Sequence, residues 1–238
     1  MSPEESLIDQ YVTDSGVMFA RLGDHLMTLD DLRNSHKHAT LNHFGLTADP
    51  TSYKGNLQKL VSSHLERYDT HMGNYLRYAH VVMTYMVLED RLHAFGQAIS
   101  ATHLGPQFIP KEDKRNGSLL DKFERYFRTL SLVPPSKAAV ELLRLIRNYV
   151  VHRRGLVTDA EWGRLKKYLP NLAGMAVDAQ HHLTLTTEAC LGLQNGAIEY
   201  LRAINSAAGF HLRLPPEIQR NLNEHVLPYL AIANSGTS

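Results

Sequence analysis

The chain has 238 residues, 43% hydrophobic and 21% charged, an ordinary globular mixture long enough to bury a sizeable core without a disulfide or metal. Its single cysteine, Cys190, excludes an intrachain disulfide and a cysteine-based zinc site and suits a reducing compartment such as the cytoplasm. A net charge of +1 does not by itself announce a nucleic-acid partner.

Ser2-Pro3-Glu4-Glu5 reads as a capping box with proline at the first helical position, and predicts a helix to about Leu32. The acidic start lacks the apolar core of a secretory leader. No apolar run approaches the roughly 20 residues of a membrane span, so no membrane association is expected. His36, His38, His43, Gly45 and Pro50 mark Asn34–Ser52 as a connection. From Tyr53 to about Leu104 apolar residues recur at helical spacing, with Gly73 as a break. Tyr68, Tyr75, Tyr78 and Tyr85 fall within this stretch and read as core and interface residues. Gly105–Gly117 reads as a loop. Ser118 caps a short helix through Leu130, and Ser136 caps the next, which runs from Lys137 to about Arg154 with Gly155 as its C-cap.

Thr158 and Glu161 form another capping box, opening a helix that Pro170 closes, with Trp162 packing it onto the rest. Met175–Thr186 alternates weakly around Asp178-Ala179-Gln180 and predicts a short β-hairpin that exposes His181 and His182. A helix from about Glu188 to Ala207 follows, and one more is expected after Pro215-Pro216. The expectation is an all-α bundle with one short hairpin, residues 1–52 forming an N-terminal helical extension and connection to a helical domain over 53–238.

Charge is unevenly spread. Lys111–Lys167 holds 14 Lys/Arg against 7 Asp/Glu, and the remainder 11 against 17. Such a basic segment is either a solvated surface or a face that meets phosphates. Within it, Glu141–Gly155 carries the chemistry. On a helix Arg144, Asn148 and His152 form one polar stripe flanked by Arg147, with Leu142, Leu143, Ile146 and Val150 mainly on the other side. Basic residues at a helix C-terminus also complement its dipole, which is the plain structural explanation.

Arg147-Asn148-Tyr149-Val150-Val151-His152 resembles the Arg-x(4–6)-His motif of the HEPN family (higher-eukaryote and prokaryote nucleotide-binding domains), here as Arg-x4-His with a polar residue after the arginine. Leu88-Glu89-Asp90, on an earlier long helix, resembles the Leu-Glu sequence of several HEPN groups, and Met175–Ala207 resembles the hairpin and terminal helix of some. The resemblance covers Tyr75 to about Ala207 and does not cover Met1–Ser52. It implies a helical bundle, usually a homodimer with two motifs facing across a cleft. Many members are metal-independent ribonucleases, often toxins or antiviral defence factors; others bind nucleotide, RNA or a protein partner.

The residue types suit that chemistry. Histidine moves a proton near neutral pH, and arginine offers a fixed fork of donors to a phosphate. The expectation is a cytoplasmic endoribonuclease without cofactor or metal, with catalytic Arg147, Asn148, His152 and Glu89 and RNA-binding Arg144, Arg153 and Arg154. A phage-defence effector or a toxin with a cognate antitoxin fits it. The alternative is a non-catalytic HEPN module that binds RNA, nucleotide or a protein partner. A third reading is a metal-binding regulator using the His36–His43 loop.

Arg147 and His152 lie about 140° apart on an ideal helix, so a single motif converges poorly and a second copy is implied.

Overall fold

A computed structural model describes residues 3–102, 105–106, 108, 117–171 and 174–209. Over these residues the chain is mostly α-helical. The helices are α1 (Pro3–His43), α2 (Gly55–Glu66), α3 (Gly73–Ala101), α4 (Leu119–Thr129), α5 (Ala138–Arg153), α6 (Asp159–Leu165) and α7 (Thr187–Ala207). Strands β1 (Met175–Val177) and β2 (Leu183–Leu185) pair antiparallel, with Met175 opposite Leu185 and Val177 opposite Leu183.

Helix α3 is the axis of the bundle and packs against α1, α5 and α7, while α5 also packs on α7. Val81, Leu88, Leu92 and Phe95 recur at spacings of three, four and seven, so one face of α3 is continuously apolar, and all four are fully enclosed. Tyr11, Val12, Phe19 and Leu26 of α1 join the same core, which therefore includes the N-terminal helix. At one end Phe123, Tyr126 and Phe127 of α4 meet Phe95 and Phe108 with ring centroids 5.1 to 5.9 Å apart, a separation typical of favourable aromatic pairs.

The first helix runs beyond Leu32 to His43, so His36 and His38 lie on a helix rather than in a loop. The physical reason is local. Asn34–Asn42 contains neither glycine nor proline, Leu41 is buried, and Gly45, the first left-handed residue (φ 65°), comes only after it. Tertiary contacts hold the added turns: the His36 ring meets the Tyr68 hydroxyl at 2.8 Å, and Lys37 pairs with Asp69 at 2.8 Å.

The expected break at Gly73 is a π-helical turn, Arg67–Met72, that runs straight into α3. Gly73 keeps helical backbone angles, and its missing side chain leaves room for the Arg33 guanidinium, which a Cβ would overlap. Tyr68, Tyr78 and Tyr85 are buried as expected, whereas Tyr75 is 70% exposed.

Local cues elsewhere translate directly. Ser118 and Asp121 form a reciprocal capping box on α4. Helix α5 starts one residue later than expected, with Lys137 rather than Ser136 at the cap, and Lys137 bonds back to Asp121 and to Glu124 (3.0 Å) on α4. At its other end Arg154 (φ 54°) adopts the left-handed conformation before Gly155 (φ 85°) does. Trp162 packs against the core, His181 is exposed and His182 is half-exposed. The Ser2 cap, the basic residues Lys111, Lys114 and Arg115, and the helix expected after Pro216 lie outside the described residues.

Candidate functional site

Helix α5 carries the motif and α3 backs it. Arg147 faces inward: its guanidinium carbon lies 5.6 Å from the centre of the Tyr85 ring, and Nη1 donates to Asn148 Oδ1 at 3.1 Å. This is a cation–π geometry in a half-buried setting, where water screens it less than at an open surface. The buried Nε of Arg147 has no hydrogen-bond partner among the described residues. Glu89, one turn after Tyr85 on α3, completes the cluster. Burial lifts its carboxyl above the ordinary range, opposed by Arg147, a hydrogen bond from Tyr85, and His93. Burial and the neighbouring Glu89 push the Tyr85 hydroxyl upward too, so it stays protonated and able to donate.

Helical spacing alone assigns Tyr85 to the core, and its polar role comes from the packing of Arg147 against it. Its position four residues before Glu89, on the same helix face, is the cue that reveals it.

Arg144 is occupied within its own helix. Its Nε donates to Glu141 Oε2 at 2.9 Å and its Nη2 reaches the other carboxylate oxygen, a bidentate fork. Arg153 points to the opposite side of α5, pairs with Glu161 of α6, and lies 6.0 Å from the centre of the Tyr149 ring. Arg154 is exposed, and so is His152, the last residue but one of α5; neither side chain has a polar partner among the described residues. The structure thus gathers Arg147, Asn148 and Glu89 around Tyr85. It leaves His152 in solvent, with no contact between His152 and Arg147 among the described residues.

Main-chain bonds brace the end of α5. Val157 N–H donates to His181 O and Leu183 N–H donates to Gly155 O, both at 2.9 Å, so the hairpin is stitched to the segment after the motif. Tyr78 of α3 donates to Leu183 O. Between this segment, the start of α6 and the hairpin turn lies an open depression of about 440 Å³.

Helix α6 depends on Glu161. Its carboxylate accepts from Thr158 N–H at 2.9 Å and Thr158 Oγ1 at 2.7 Å and pairs with Arg153, bonds that hold its pKa down at about 2 against an ordinary 4.5. A depressed folded-state pKa stabilises fully above the unfolded value and progressively less as pH falls. The contribution of Glu161 is therefore expected to disappear between about pH 4.5 and 2. Thermal melts across that range should show a shallower acid loss for Glu161→Gln than for the wild type; parallel profiles would contradict this. At neutral pH Thr158→Ala should lower stability by roughly 0.5–2 kcal/mol through loss of the cap.

Among the described residues, no group of three or more His, Cys, Asp or Glu side chains is placed to hold a metal ion, and the loop needed for the His36–His43 reading is helical. No described helix is long and apolar enough to cross a membrane. No protein-family model, no curated protein and no solved structure matches the chain.

Proposed function

We propose that the chain is a metal-independent, HEPN-like endoribonuclease that cleaves RNA through attack by the ribose 2′-hydroxyl, working as a homodimer. The observation that carries the proposal is the pairing of an anchored cation with a free imidazole on one helix. Tyr85, Asn148 and Glu89 orient Arg147, and His152 stands in solvent a little over a turn further on.

In this reading Arg147 and Asn148 donate to the phosphate oxygens as negative charge grows on them. His152 takes the proton from the 2′-hydroxyl as its oxygen bonds to phosphorus. The P–O5′ bond breaks, and the leaving 5′-oxygen receives a proton from His152 of the partner subunit. The products are a 2′,3′-cyclic phosphate and a 5′-hydroxyl. Glu89 acts through Arg147 and is a positioning residue.

A surface suited to a second copy adjoins the motif. Met72, Tyr75, Met83 and Met86 expose one apolar stripe along α3 and the turn before it, and Met86 is three residues from Glu89. Sedimentation at micromolar concentration is expected to give a dimer, and Met86→Glu to shift it toward monomer and lower activity in parallel. A wild type that is active as a strict monomer would contradict the composite site.

The alternative is a non-catalytic HEPN module that binds RNA, nucleotide or a protein partner. Its support is the engagement of Arg144 and Arg153 by Glu141 and Glu161, with His152 standing apart from Arg147. Binding with a steep salt dependence and no cleavage would identify an RNA-binding module. A toxin or phage-defence role belongs to the same proposal and would appear as growth arrest on expression.

A further inference from the structure

We infer that the depression beside the end of α5 is a guanine-binding subsite that selects where RNA is cut. The inference rests on the ribonuclease reading above and names the base that the site takes.

The depression is lined by Arg153, Leu156, Val157, Asp159, Gln180 and His181, together with Thr158. Leu156, 40% exposed, offers an apolar face on which a flat ring can rest, over the buried Val157. His181 offers a second face. It holds a left-handed backbone conformation (φ 61°) that a non-glycine residue rarely adopts, and its carbonyl is fixed by Val157 N–H at 2.9 Å. The hairpin bonds therefore fix the backbone that carries the ring. Single-stranded RNA is recognised by such means, with a splayed base stacked on a planar side chain and hydrogen-bonded along its Watson–Crick edge.

The polar inventory selects the base. Arg153 is neutralised by Glu161, and Thr158 is committed to the capping box. What remains open is the Asp159 carboxylate, 93% exposed, and the side-chain amide of Gln180; Asp159 Oδ1 lies 3.6 Å from His181 Nδ1. An ionised carboxylate only accepts, so it favours an edge that presents donors. Among the four RNA bases guanine alone carries two adjacent donors there, N1–H and the 2-amino group, and one carboxylate accepts both. The Gln180 amide and the His181 ring N–H can donate to guanine O6 or N7. A phosphate in the same place would meet the Asp159 carboxylate while Arg153 is already held by Glu161, which argues for a base. Arg153, which lines the depression, directly follows His152 in the chain, and a strand lying across the end of α5 can span the two.

Equilibrium dialysis of the full chain against radiolabelled guanosine, inosine and adenosine 5′-monophosphates tests this directly and needs no catalysis. The guanine nucleotide is expected to bind tightest. Inosine monophosphate, which lacks only the 2-amino group, should bind roughly 5- to 100-fold more weakly, the range expected for loss of a bidentate contact. Asp159→Asn should remove the difference, and its exposed position leaves folding unaffected, which circular dichroism checks. Equal affinity for the three nucleotides, or a guanine preference that survives Asp159→Asn, overturns the inference.

Mapping of RNA fragment ends separates it from the parent reading. Fragment ends at a fixed position relative to guanine, redistributed in Asp159→Asn, agree with it. Cleavage unrelated to guanine overturns the subsite and leaves the ribonuclease proposal standing. Guanine-nucleotide binding without any cleavage keeps the subsite and removes that proposal.

Discussion

His152→Ala is expected to slow RNA cleavage by roughly 10²–10⁴, the usual worth of a general acid–base group. Arg147→Ala should cost roughly 10²–10³, by comparison with removal of one charged-state donor from an oxyanion site. The two variants should differ in stability. His152 is exposed and contacts nothing polar among the described residues, so His152→Ala melts like the wild type. Arg147 covers the Tyr85 ring and holds Asn148, so its removal should also cost about 0.5–1 kcal/mol. Ile146→Ala is the control in the other direction. Ile146 is fully buried, so the cavity should cost about 2–5 kcal/mol and reduce activity only through unfolding. Single-turnover cleavage and thermal melts on the same preparations check these expectations. Wild-type rates in His152→Ala would end the catalytic assignment.

Gly155→Ala is expected to be the most damaging single-methyl change near the site. Gly155 has φ 85°, which costs an L-residue roughly 1–3 kcal/mol. The added methyl would also overlap the Tyr78 hydroxyl, which donates to Leu183 O, and overpacking typically costs a further ~1–3 kcal/mol. The total of about 2–6 kcal/mol should appear as a lower unfolding midpoint in urea. Tyr78→Phe removes the hydroxyl and the overlap together, so the double variant should lose less than the sum of the two single ones. Full additivity would show that the crowding at Tyr78 is not what Gly155 avoids.

Features of the fold written within one turn of sequence were legible. The cap at Ser118, the capping box at Thr158, the hairpin between Met175 and Thr186, and the span of α7 depend on neighbouring residues and appear where expected. The end of α1 was not legible, because the glycine and proline that mark a stop come after the turns that Tyr68 and Asp69 hold from another helix. The π-helical turn before Gly73 likewise depends on packing of α1 rather than on any local residue pattern.

The candidate site divides the same way. The exposure of His152 and the inward lean of Arg147 follow from their angular positions on α5. The partnership of Arg147 with Tyr85 and Glu89 needs the packing of α5 on α3, which periodicity alone does not specify. The depression at Leu156 and His181 needs the hairpin to return to the end of α5, across some twenty-five residues of chain, so no local pattern announces it.

The proposal turns on the chemistry of the product ends. Single-stranded RNA or transfer RNA incubated with the wild-type chain in EDTA should yield fragments ending in 2′,3′-cyclic phosphate and beginning with a 5′-hydroxyl. Fragments with 3′-hydroxyl and 5′-phosphate ends, or cleavage that stops in EDTA and returns with a divalent metal, would contradict a mechanism built on Arg147 and His152.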